Sequence, residues 1–228
     1  MARRIVADLE DTRSEMRRIR DGDRPIIRLA CLPSLGPRIC HLLADYCPQS
    51  TDTRWSLVTA LRGPIVAGLR DGRFDLAVCE SQADDDLLNS LLMHEPMRMI
   101  LPANHPLTNR QPLRPSDVAD IPYIGLHRSL GAANEAQRFF AAAELPPTPV
   151  VEVNDISLVP QLVTTISGYG FLPLSAAANS EEVAFVDTEP VLTRQISLTR
   201  IAKRSLSPAI VAFADYLTTQ WNEQAMRQ

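Results

Sequence analysis

The most constraining feature of this chain is an alternation that begins at Ile26. Short apolar runs rich in β-branched residues are separated by segments whose apolar residues recur at helical spacing. Residues 26–32 and 74–79 are short, largely apolar runs, as expected of buried strands, and 53–61 alternates as a strand. Between them, 38–46 carries Ile39, Leu42, Leu43 and Tyr46 on one helical face. A second helix over 64–70 is stopped by Asp71-Gly72. The order β-α-β-α-β requires parallel strands joined by covering helices.

The remainder repeats the theme after a change of character. Residues 87–93 and 97–103 read as two extended runs, interrupted by His94-Glu95-Pro96. A helix start is expected at Pro115-Ser116-Asp117, then a strand over 123–126, a helix over 134–143 and a strand over 150–153. A helix over 155–167 is opened by Asn154 or Asp155 as N-cap, and strands follow over 171–174 and 183–186. Residues 195–201 alternate as a strand, and 208–220 form an amphipathic terminal helix. Gly168-Tyr169-Gly170 follows a helix, so it reads as a C-cap and tight turn. Two similar halves predict an α/β protein of two Rossmann-like lobes with a central cleft.

Ahead of this lies a different kind of segment. Ala2, Ile5, Leu9, Thr12, Met16 and Ile19 alternate spacings of three and four on an otherwise charged helix. Such a stripe needs a partner helix, most simply that of a second copy, although lying on its own domain is the alternative. Over the whole 228 residues, Lys+Arg 23 against Asp+Glu 27 gives a net charge of -4, which leaves no basic footprint for nucleic acid. No apolar run reaches the ~20 residues of a membrane span, and the N-terminus lacks the apolar core of a signal peptide. A cytoplasmic location follows, with no membrane partner. Cys31, Cys40, Cys47 and Cys79 form no C-x-x-C pair and are expected to be reduced and buried.

Enzyme constellations are weak. The histidines (His41, His94, His105, His127) are scattered, and no nucleophile elbow, phosphate loop or dinucleotide fingerprint occurs, so neither catalysis, cofactor nor metal is expected. Asp84-Asp85-Asp86 reads as a solvated loop. The stronger signal is a recurrent strand, polar turn and helix start, at Pro33-Ser34-Leu35-Gly36, Thr59-Ala60-Leu61-Arg62-Gly63, His127-Arg128-Ser129-Leu130-Gly131 and Asn154-Asp155. In α/β sheets such turns lie at the carboxyl ends of strands, where ligands bind. Helix N-termini there suit an anion, with arginines such as Arg62 and Arg128 as charged donors and Ser34 and Asn154 as neutral ones.

Four stretches resemble one family in its order. Met16-Arg17-Arg18-Ile19, Gly22 and Pro25-Ile26-Ile27-Arg28-Leu29 resemble the linker helix of LysR-type transcriptional regulators entering the effector domain. Leu69-Arg70-Asp71-Gly72-Arg73-Phe74-Asp75-Leu76-Ala77-Val78 is similar to the family's L-x-x-G-x-x-D stretch. Leu101-Pro102-Ala103-Asn104-His105-Pro106-Leu107 resembles its H-P-L segment, and Ser167-Gly168-Tyr169-Gly170-Phe171-Leu172-Pro173 its Gly-x-Gly turn. The resemblance implies a two-lobed fold like the type 2 periplasmic binding proteins. Residues 1–24 would end the linker helix, 25–101 with 195–228 would form lobe I, and 102–194 lobe II. It further implies a small effector, a carboxylate or other small anion, held by Ser34, Arg62, His127, Asn154 and Phe171. The assembly would be a homodimer, and a tetramer in the full-length regulator. DNA would be contacted only through an N-terminal winged helix-turn-helix that these residues do not include. Where family members carry a small hydroxylated residue after the second strand, Thr59-Ala60-Leu61-Arg62 departs, which makes Arg62 the first candidate charge partner. The cysteines all map to the first lobe, which disfavours a thiol switch. A solute-binding receptor of a transport system, with the same fold, is the alternative.

Overall fold

The computed structural model describes residues 24–141, 148–176 and 181–225, with side chains described as far as Trp221. The heptad stripe and the linker helix expected before residue 24 therefore lie outside the described residues. The chain divides into two compact units. One comprises the described residues up to Met93 and from Ile196 onward, the other His94–Gln195.

In the first unit, β1 (Ile26–Cys31) runs parallel to β2 (Arg54–Thr59) and to β3 (Leu76–Glu80), and β3 is antiparallel to β9 (Leu192–Ile201). The sheet order is β2-β1-β3-β9. Every residue of β3 is buried, as a central parallel strand covered on both faces requires. Helix α1 (Gly36–Tyr46) covers the sheet with Ile39 and Leu42, and α2 (Arg62–Arg70) with Ile65, Val66 and Leu69. The terminal helix α5 (Pro208–Ala225) adds Phe213, Leu217 and Trp221, one turn apart each, all fully buried. Where α2 ends, Gly72 takes a positive φ of 76°, so the chain reverses directly into β3.

The long strand β4 (Leu87–Pro102) gives the second unit its part from His94 on, which pairs antiparallel with β7 (Gly170–Pro173) and with β8 (Val183–Val186). A two-stranded parallel sheet, β5 (Ile124–Leu126) with β6 (Val151–Val153), lies in the same unit. Helix α3 (Ala132–Ala141) and helix α4 (Val159–Ile166) close it. Its core is a knot of Tyr123, Phe139, Phe140, Tyr169 and Phe171, with ring centroids of successive pairs 5.1–6.3 Å apart.

Several expectations are corrected. His94-Glu95-Pro96 does not interrupt β4, because Glu95 is neutralised inside the fold by Arg194 and Pro96 lies just before Met97, where pairing with β7 begins. Pro115-Ser116-Asp117 opens only a 3-10 turn, Pro115–Val118, where the Asp117 carboxylate accepts the Arg114 N–H at 2.8 Å. The left-handed cap of α4 is Ser167 (φ 54°), not a glycine. A Cβ on Gly168 would lie 2.4 Å from the Pro122 carbonyl oxygen, so close approach rather than dihedral freedom requires glycine there. Cys31 and Cys79 are buried as expected, but Cys40 is exposed and Cys47 partly so. Asp84 and Asp86 are ion-paired rather than merely solvated, both with Arg70 and Asp84 also with Arg62.

Candidate functional site

In the first unit the carboxyl ends of three parallel strands come together. Cys31 pairs with Thr59, the Ala60 N–H donates to the Cys31 carbonyl at 3.0 Å, and the Leu32 N–H donates to the Val78 carbonyl at 3.1 Å. Ser34 and Arg62 follow directly on these ends. Ser34 sits half-buried in the 3-10 turn Pro33–Leu35, whose tightness places α1 straight after β1. Gly36 at the start of α1 approaches the exposed Thr59, whose Cγ2 would be 3.6 Å from a Cβ there.

Arg62 is the first residue of α2, and its side chain is only 15% exposed. Its Nε donates to the Glu80 carbonyl at 3.1 Å, which ties the end of β3 to the start of α2, and its Nη2 donates to Asp84 at 3.2 Å. Asp84 also accepts from Arg70 at 2.9 Å. Neither α1 nor α2 has a side-chain cap or an acidic residue in its first turn. At α2 the chain enters from the extended Leu61, so the helix start presents N–H groups and a positive dipole end, whereas α1 continues the 3-10 turn, with the Gly36 N–H donating to the Pro33 carbonyl and Pro37 carrying none.

In the second unit the parallel pairing of Leu126 with Val153 brings His127 and Asn154 side by side, and the His127 N–H donates to the Val153 carbonyl at 2.8 Å. Here the turns are internally capped. His127 Nδ1 lies 2.8 Å from the Ser129 hydroxyl and accepts the Ser129 N–H at 3.2 Å. Asp155, not Asn154, is the cap before α4. It takes the Ser157 hydroxyl at 2.7 Å and the Ser157 N–H at 2.9 Å, and these two donors hold its carboxyl below the usual range. Asn154 is exposed beside it. Phe171 lies within β7 with its ring fully buried in the aromatic knot, so it supports the Tyr123 side of β5 from the core.

The sequence reading missed two arrangements. The Arg62–Asp84–Arg70–Asp86 network joins a helix to a polar loop that carries no local pattern. The other is Glu95, whose partner Arg194 donates at 2.7 Å with side chains 2% and 6% exposed, while Glu95 Oε1 takes the Ser175 N–H at 2.7 Å. A lone acid inside an apolar strand run was its only signal. Among the described residues no group of three or more His, Cys, Asp or Glu side chains could hold a metal ion. Likewise no helix there is long and apolar enough to cross a membrane.

The chain matches the family described as LysR substrate binding domain over residues 20–222. It belongs to that family. Among its curated relatives is the HTH-type transcriptional regulator YybE of Bacillus subtilis (strain 168), 20% identical over 96% of this chain and 76% of that protein. The effector binding domain of QuiR, solved in complex with shikimate, superposes with a TM-score of 0.79 at 23% identity. That match covers 88% of this chain and 99% of the other. The regulatory domain of Synechocystis PCC6803 CcmR, solved in complex with 2-PG, gives 0.79 at 18% identity over 86% and 97%. The fold is that of LysR effector-binding domains.

Proposed function

We propose that this chain is the effector-sensing part of a LysR-type transcriptional regulator, and that its effector is a small organic anion. Ser34 and Arg62 in the first unit, with His127 and Asn154 in the second, are assigned to the ligand, and Phe171 to the packing that holds the second pair. The observation that carries this reading is the uncapped, acid-free start of α2 at the carboxyl end of β2. Arg62 adds a guanidinium whose Nε and Nη2 are committed to Glu80 and Asp84, leaving Nη1 to reach an incoming carboxylate. Relatives of the same fold that are named with shikimate and 2-PG support an anionic ligand class.

Occupancy of the site would shift a conformational equilibrium that the regulator passes to DNA through a part other than these acidic residues. The protein is assigned to the cytoplasm and to a homo-oligomer, with the heptad stripe as its dimerising element. Catalysis has no part in this reading. The test is a thermal-shift and calorimetric screen of small carboxylates, shikimate included, against the wild type, Ser34→Ala and Arg62→Ala. At least one carboxylate raises the melting temperature of the wild type and binds about tenfold more weakly to Arg62→Ala. Equal stabilisation of both proteins removes Arg62 as the anchor, and no carboxylate binding at all sinks the reading.

A further inference from the structure

The first unit also holds a cavity of about 330 Å³, none of whose lining residues belongs to the strand-end turns. It lies at the opposite end of the sheet: Thr199 pairs with Ala77 at the start of β3, and Arg200 follows Thr199. That volume falls at the small end of ligand-binding cavities.

Its walls are partly open and combine an apolar group of side chains with polar ones, Ser90 and Thr218 among them. Leu198 is buried, while Leu88 of β4 and Val211 of α5 are 43% and 44% exposed, large apolar groups that the fold leaves facing water. Set among them is Arg200, half-buried, with a single long hydrogen bond from Nη1 to the Ile201 carbonyl at 3.4 Å. No carboxylate among the described residues lies within ion-pair distance of it, whereas Arg62, Arg70 and Arg194 each have one. Arg204 adds a second positive charge, held by the carbonyls of Leu69 and Phe74 at 3.4 and 3.5 Å. Asp215, exposed on α5, is the only acid in the lining. A half-buried guanidinium with no carboxylate at ion-pair distance, in a lining that also holds Leu88, Leu198 and Val211, is complementary to an anion with an apolar body.

We propose that this cavity is a second ligand site, which takes a compact amphipathic monocarboxylate. The carboxylate meets Arg200, and the hydrocarbon body packs on Leu88, Leu198 and Val211. The site is independent of the strand-end reading and neither requires nor excludes it.

The probe is hexanoate, titrated calorimetrically into the full chain, with hexanamide as its uncharged counterpart. Hexanoate binds, hexanamide binds about tenfold more weakly, and Arg200→Gln weakens hexanoate by about the same factor. Val211→Asp, at an exposed position where folding tolerates a charge, abolishes binding while its circular-dichroism melt stays that of the wild type. Ser34→Ala and Arg62→Ala leave hexanoate affinity unchanged. The proposal is overturned if hexanoate does not bind, or if Arg200→Gln and Val211→Asp bind it as the wild type does. It is equally overturned if the loss appears in Arg62→Ala instead, which would assign hexanoate to the strand ends.

Discussion

The Glu95–Arg194 pair offers the sharpest test of how the second unit is held together. Both side chains are nearly sealed from water, the Nε–Oε2 distance is 2.7 Å, and Glu95 Oε1 simultaneously accepts the Ser175 N–H at 2.7 Å. In Arg194→Met the carboxylate keeps one backbone donor and loses its counter-charge. Stranding a buried charge in this way costs about 3–5 kcal/mol, a large share of the ~5–15 kcal/mol that holds a domain folded. The double variant Glu95→Gln with Arg194→Met behaves differently. It removes both charges, keeps an oxygen for the Ser175 N–H, and recovers more than half of the loss. The asymmetry arises because removing one partner leaves a desolvated charge, whereas removing both does not.

Urea denaturation provides the assay, and the molecule supplies its own internal control. Both tryptophans, Trp55 and Trp221, belong to the first unit, so tryptophan fluorescence follows that unit while tyrosine near-ultraviolet dichroism also reports Tyr123 and Tyr169. The tyrosine transition shifts to lower urea in Arg194→Met. A single-variant cost below about 1 kcal/mol, the range of exposed pairs, would refute the reasoning. So would a double variant as costly as the single one.

Five further outcomes are expected. Gly68→Ala places a methyl 2.3 Å from the Phe74 ring and Gly168→Ala one 2.4 Å from the Pro122 carbonyl oxygen, so both lose stability by about 1–3 kcal/mol in chemical denaturation. Gly63→Ala meets nothing within 4 Å in α2 and gains about 0.4–1 kcal/mol in the same assay. Phe171→Ala, emptying the centre of the aromatic knot, costs about 3–5 kcal/mol, read from the tyrosine dichroism transition. Burial, with a smaller contribution from Cys40, pushes the Cys31 thiol up to about 12, and burial pushes Cys79 to about 11, from 9.0. A raised folded-state value means that the unfolded chain releases these protons first. The stabilisation is therefore complete below pH 9.0 and is lost as pH rises through about 11 to 12, visible as a falling urea midpoint. Iodoacetamide labels Cys40 in the native protein and reaches Cys31 and Cys79 only on unfolding.

The strands and helices of the first unit were readable because their apolar periods are local: short, largely apolar runs for β1 and β3, helical spacing for α1 and α2. The elements that sequence spacing misdrew are those whose fate depends on a distant residue. Glu95 looked like a break in β4 because Arg194, which makes its burial tolerable, lies across the second unit's chain. The polar run Asp84-Asp85-Asp86 is the loop it looked like, but its ion pairs were hidden because Arg62 and Arg70 reach it from a helix. At the candidate site the strand-end turns were legible from their composition. Of the self-capping turns, Asp155 stood as one of two cap candidates, whereas the His127 cap did not show: its Nδ1 takes the Ser129 N–H, a matter of side-chain angles that composition does not encode.

The interleaving of the two units fixes an order of assembly. His94–Gln195 is one unbroken stretch, and everything it needs has been synthesised once β8 and the start of β9 have emerged. The first unit begins earlier and finishes last, since β3 waits for Ile196–Thr199 and the core waits for Phe213, Leu217 and Trp221. Until then β3 has an unpaired edge and a half-covered face. A nascent chain stalled before α5 would thus hold a completed second unit and a sticky, unfinished first one. Losses at the carboxyl terminus should consequently be read out as aggregation of the chain's beginning.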